Sequence, residues 1–79
     1  MKEEILAKII ERGAPVWGVD VASLNEDTTF EEMNAKSVHY SQITTFLEDE
    51  YDVEIPFMNF RRKKTLGEAA DYVLELVEE

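Results

Sequence analysis

No cysteine occurs among the 79 residues, and for a chain this short that is the tightest constraint on its fold. A domain of this size buries only about 60% of the surface its unfolded chain exposes, and small scaffolds commonly make up the deficit with disulfides or a bound metal. Here disulfides, cysteine-based metal sites and a cysteine nucleophile are all closed off, so stability has to come from packed apolar side chains. The material is present. Hydrophobic residues make up 44% of the chain and charged ones 33%, which reads as globular rather than disordered. We expect one domain spanning residues 1–79, with little room for a deep active site.

The apolar residues recur at helical spacing. Ile5, Leu6, Ile9 and Ile10 lie on an otherwise charged stretch that Gly13 and Pro15 close, predicting a first helix over residues 3–12. Residues 13–36 hold two of the three glycines and no long periodic run, so they read as an extended connection. So long a loop in so small a domain needs anchors, for which Trp17, Val19, Val21, Leu24 and Phe30 are the candidates. A second helix is predicted from Ser37 to about Tyr51, with Tyr40, Ile43, Phe46, Leu47 and Tyr51 on one face. Pro56 breaks the chain, and Phe57 and Phe60 fit a short third helix. Thr65-Leu66-Gly67-Glu68 has the form of a capping box, opening a last helix that turns Leu66, Ala69, Ala70, Val73 and Val77 inward. The fold class is therefore all-α, a small four-helix bundle of three main helices, a short third one and a long first loop. Trp17, Phe30, Tyr40, Phe46, Phe57 and Phe60 should crowd its core and leave a small internal pocket or none.

Eighteen acidic against eight basic residues give a net charge of −10. That charge repels phosphate backbones, so nucleic acid is excluded as a partner and basic patches on other proteins are favoured. The opening MKEEILAKIIERG is interrupted by Glu3, Glu4 and Lys8 and lacks a signal-peptide apolar run, and no stretch approaches a membrane span. The expected compartment is the cytoplasm, and a monomer is expected.

Few residues can carry chemistry. A serine nucleophile needs a base in reach, but the only histidine, His39, is two positions from Ser37, where helical side chains do not face each other. We expect no enzyme, and His39 reads as a solvated surface residue. Ser37 opens a helix, where serine is a favoured cap and where an attached anion would meet free amides and the positive end of the helix dipole. The acidic run 48–54 lacks the glycine and the Asp/Asn spacing of a calcium loop, so no metal site is expected.

The segment KSVHYSQITTFLEDEYDVEIP, residues 36–56, resembles the part of acyl carrier proteins that begins at their phosphopantetheine serine. The pattern lies without a gap from Ser37 to Val73, through Glu54-Ile55-Pro56, Thr65-Leu66 and Ala69-Ala70-Asp71-Tyr72-Val73. Upstream, the Asp27-Thr28-Thr29-Phe30 turn and the first helix also match. The resemblance implies a carrier whose Ser37 hydroxyl receives 4'-phosphopantetheine from coenzyme A through a phosphopantetheinyl transferase. The arm's thiol would hold acyl groups as thioesters, which a chain without a cysteine cannot do by itself. Partners would be acyl-loading and acyl-using enzymes with basic patches, meeting a surface of Lys36, Val38, His39, Gln42, Glu48 and Asp49.

The departures from the pattern matter as much. Lys36-Ser37-Val38 stands where the family has Asp-Ser-Leu, His39 and Gln42 fall at positions that are often acidic, and residues 61–64 hold four of the eight bases. A specialised lipid or secondary-metabolite carrier with dedicated partners fits these changes. An aminoacyl or polyketide carrier, and an unmodified acidic interaction module with the same fold, stay open as alternatives.

Overall fold

The computed structural model describes residues 1–79. Alternating apolar and charged residues wind into α1, Lys2–Trp17, which buries Ile5, Ile9, Gly13 and Ala14. The helix therefore runs five residues beyond its predicted end. Pro15 lacks an amide hydrogen and normally breaks a helix interior, but here it lies within the last turn. Burial of Ala14 and the fold-back of Trp17 onto the helix carry the chain past it. Gly13 makes the fold-back possible, since a Cβ there would sit 2.5 Å from the Trp17 ring. Gly18, in the left-handed conformation at φ 68°, ends α1, its amide donating to Ala14 and Pro15.

The connection that follows contains one 3-10 turn, Val21–Ser23, then leads to α2, Ser37–Tyr51, α3, Phe57–Arg61, and α4, Leu66–Glu78. These match the predicted second, third and fourth helices and the four-helix bundle class. Among the predicted anchors, Leu24 and Phe30 are buried and Trp17 and Val19 pack against the core. Val21 is instead 53% exposed, because it opens a short 3-10 turn with no buried face. Backbone bonds fasten the loop as well. Phe30 N donates to Lys64 O at 3.1 Å, Leu66 N to Thr28 O at 2.9 Å and Gly67 N to Glu26 O at 3.0 Å. Residues 26–30 are thereby laced along the entry to α4. Gly67 lets them approach, since a Cβ there would lie 2.9 Å from the Glu26 carbonyl oxygen.

The core sits where α1 packs against α2 and α4, with α3 closing the α2 side. Ile5, Ile9, Ile43, Leu47, Phe60, Leu66, Ala69, Ala70 and Val73 have no exposed surface. Phe30 touches Trp17, Tyr40 and Phe60, with ring centroids 6.0, 5.0 and 6.0 Å away. Tyr40 in turn meets Phe57 and Phe60 edge-on. Phe46, predicted with this group, is half-buried and outside the ring network, as is Tyr51. The interior is filled, and every surface depression opens to solvent. No helix is long and apolar enough to cross a membrane.

Tyr51 joins the end of α2 to the start of α1, its hydroxyl donating to Glu4 Oε2 at 3.1 Å. Burial, that bond and the charges of Glu4 and Glu50 push its phenol from an ordinary 10 up to about 12. The folded state thus holds this proton more tightly than the unfolded one. The resulting stabilisation is complete below pH 10 and is lost as pH rises through the folded value of about 12. We expect the stability advantage of the wild type over Tyr51→Phe, from urea unfolding, to shrink between about pH 9 and about pH 11.5. A difference that stays constant over that range contradicts the assignment.

Candidate functional site

Helix α2 starts at Ser37 because the backbone at Lys36 is extended, at φ −111° and ψ 168°, and its carbonyl accepts from His39 N at 2.9 Å and Tyr40 N at 3.2 Å. An ammonium side chain has no lone pair with which to cap a helix. The histidine supplies the other half of the cap, since Lys36 N donates to His39 Nδ1 at 3.0 Å. His39 is therefore a half-buried local brace and not the solvated residue expected. With its Nδ1 occupied and no hydrogen bond to the serine hydroxyl, it does not form a nucleophile–base pair.

Ser37 is exposed, and its Oγ takes part in no hydrogen bond. The plain-cap reading of this serine does not hold here, because the cap position belongs to Lys36. The amides of Ser37 and Val38 also lack acceptors within the protein, so two N–H groups point out at the positive end of the α2 dipole. Such an end stabilises an attached anion by about 0.3–1 kcal/mol when exposed. A free hydroxyl, two free amides and no acidic residue in the first turn of α2 fit a serine phosphodiester.

The other predicted surface residues divide. Lys36, Val38 and Asp49 are exposed, Val38 by 55%, and Gln42 is half-buried. Glu48 turns back on the protein, its Oε2 accepting from Ile55 N at 2.8 Å and bracing the chain before Pro56. The box at α4 also differs in detail. Thr65 Oγ1 accepts from Glu68 N at 3.1 Å as predicted, while the Glu68 carboxylate takes the amide of Lys64, one residue further back.

Sequence reasoning saw the basic run 61–64 without its place in the fold. Arg62, Lys63 and Lys64 border an open cleft of about 290 Å³ whose walls include Phe30, Ala35 and Tyr40, beside the α2 start. Arg61 lies over the Tyr40 ring at 5.9 Å and Lys63 over the Tyr72 ring at 4.8 Å. Burial holds the Tyr40 phenol above its ordinary value, against the opposing charge of Arg61. No group of three or more His, Asp or Glu side chains is placed to hold a metal ion.

Residues 7–73 match the family profile described as a phosphopantetheine attachment site. The chain is 36% identical to an acyl carrier protein of Rubrobacter xylanophilus over 94% of its own length and 93% of that protein's. An acyl carrier protein of Lactobacillus acidophilus is also 36% identical, over 91% of both chains. A meromycolate extension acyl carrier protein of Mycobacterium leprae is 29% identical over 99% of this chain and 69% of its own.

The brace at the helix start is testable. Replacing His39 by Ala removes the acceptor for the Lys36 amide at a cost of about 1 kcal/mol, and the first turn of α2 should fray. Hydrogen exchange at the Tyr40 amide should quicken, and His39→Glu, which can accept the same bond, should restore protection. Unchanged exchange in His39→Ala shows that the bond holds nothing in place.

Proposed function

The chain belongs to the phosphopantetheine-bearing acyl carrier protein family, and from that premise we propose that Ser37 is the hydroxyl to which the arm is joined. The observation that carries the assignment is the state of that hydroxyl: exposed, unbonded and set beside two amides without acceptors. The arm supplies the thiol on which acyl groups are held as thioesters. The chain supplies the rest. Ser37 would anchor the arm, the Ser37 and Val38 amides, free of acceptors, would be the donors nearest its phosphodiester, and the His39–Lys36 bond keeps that turn wound. Proteins of this family work with a phosphopantetheinyl transferase and with enzymes that handle acyl groups.

The partners of this member are dedicated ones, in our reading, and its pathway is a specialised one. Lys36 puts a cation immediately before the serine, and Gln42 a neutral amide about one and a half helical turns further on. A basic patch on a general fatty-acid enzyme meets repulsion at the first and no attraction at the second. Asp49 stays available on the outer face, whereas Glu48 is committed to the Ile55 amide and is a brace more than a contact.

Two experiments test this. Co-expression with a broad-specificity phosphopantetheinyl transferase should add one phosphopantetheine to the intact mass of the wild type and none to Ser37→Ala. A modified Ser37→Ala moves the attachment to another residue and refutes the site, and a wild type that every transferase leaves unmodified refutes it in favour of the unmodified interaction module. For partner choice, Lys36→Asp with Gln42→Glu should raise the rate of loading by a general malonyl transferase, most at low salt, where surface charges are least screened. His39 is left in place because it braces the helix start. Equal rates for parent and variant at low salt, both folded and both carrying the arm, show that these positions do not set partner choice.

A further inference from the structure

Two observations made independently meet at the cleft beside Ser37. The first is a charge imbalance. In a chain of net charge −10, Lys2 and Lys8 lie within 4.0 Å of carboxylates, on Glu26, Asp71 and Glu50. The charged groups of Arg12 and Lys36 have no carboxylate within that distance, and neither do those of the run of four, Arg61, Arg62, Lys63 and Lys64. Three of these four border the cleft, against one acid, Glu31. The second is the filled interior: Phe30, Tyr40, Phe57 and Phe60 occupy the space behind α2 and α3, and no enclosed cavity waits for an alkyl chain.

The cleft is within the compass of whatever Ser37 carries. Tyr40, in its wall, is three residues from Ser37 and so lies on the same helix face, a few ångströms along it. Ala35, also in the wall, is two residues before. The cationic rim is held in register by the Phe30 N to Lys64 O bond and by the Lys63 ammonium over Tyr72. Phe30 and Tyr40 are 2% and 8% exposed and close the floor of the cleft, so what it offers a ligand is the cationic rim, which suits an anion at the end of a short chain.

We infer that this cleft receives the terminal carboxylate of a short dicarboxylic acyl group carried on Ser37, held by Arg62 and Lys64 with Lys63 beside them. The inference rests on Ser37 bearing the arm. The guanidinium and ammonium groups replace the water the carboxylate leaves. An acyl group ending in a methyl gains nothing from that rim. The arm's own phosphodiester is the other anion within reach, and the test separates the two.

The experiment loads wild type and Arg62→Gln/Lys64→Gln with hydrolysis-resistant amide analogues of the arm: glutaryl with a 13C-labelled free carboxyl, pentanoyl, and the bare arm. Both side chains are exposed, and the bonds made by residue 64 are backbone bonds that survive the change. Arg62→Lys/Lys64→Arg serves as the charge-conserving control for folding. In the wild type the labelled carboxyl should titrate below its value in free glutaryl-pantetheine amide, because cations nearby favour the ionised form. In the glutamine variant it should rise to or above that value, as an acidic surface requires, and in the charge-conserving variant it should stay low. Amide shifts at residues 62–64 should appear with glutaryl and not with pentanoyl. A wild-type carboxyl that titrates at or above the free value overturns the inference, as do equal shifts from the bare arm, which assign the cleft to the phosphodiester. Intact mass keeps the readings apart: an unloaded protein fails at Ser37 itself, a loaded one with an unperturbed carboxyl fails only at the cleft.

Discussion

The placement of Phe30 is the constraint on which the region around Ser37 depends. Its ring meets Trp17 from α1, Tyr40 from α2 and Phe60 from α3. Its amide donates to Lys64 O, and its carbonyl accepts from Ala35 N at 3.1 Å, two residues before the serine. One residue of a loop thus fixes three helices, the approach to α2 and the entry to α4. Truncating a buried phenylalanine to alanine typically costs about 3–5 kcal/mol, set against a total stability of about 5–15 kcal/mol for small proteins. A domain without disulfides has little else to draw on.

The charges are arranged as deliberately as the core. Acids and bases pair where helices meet, as Lys8 with Glu50 between α1 and α2, and Lys2 with Asp71 between α1 and α4. Exposed pairs of this kind contribute little each, about 0–1 kcal/mol. Their main effect is on what stays unpaired. The run 61–64 keeps its charge for the outside, with Arg61 and Lys63 laid over aromatic rings instead of carboxylates. The result is a molecule acidic in sum and locally basic where the α3–α4 link faces the start of α2.

The helices were legible in the residues to differing degrees, for physical reasons. The bounds of α2 and the existence of α3 could be read because their apolar residues recur at helical spacing and Pro56 separates them. The end of α1 could not, because Gly13 and Pro15 are stop signals by local preference, while a tertiary contact of Trp17 decides the outcome. Val21 looked like an anchor by hydrophobicity alone, yet the loop is held by backbone bonds that leave no pattern in a sequence. At the candidate site, the start of α2 at Ser37 was readable and the roles of its neighbours were not. His39 and Glu48 each spend a side chain on a nearby amide, and the geometry that lets them do so depends on caps and turns already formed. The basic cleft was out of reach for a similar reason: residues 30–40 and 62–64 become neighbours through tertiary contacts, the Phe30–Lys64 bond and the Phe60 ring against Phe30 and Tyr40 among them.

Trp17, folded back over Gly13, has an indole N–H that is buried without an acceptor and a ring edge-on to Phe30. It is the chain's only tryptophan. Through Phe30 it is one aromatic contact removed from Tyr40, and so from the helix turn that holds Ser37. The protein is thereby furnished with an optical probe of its own. Excited at the red edge, where the three tyrosines absorb little, this single indole should follow the state of the aromatic cluster next to the serine, in unlabelled protein and in real time.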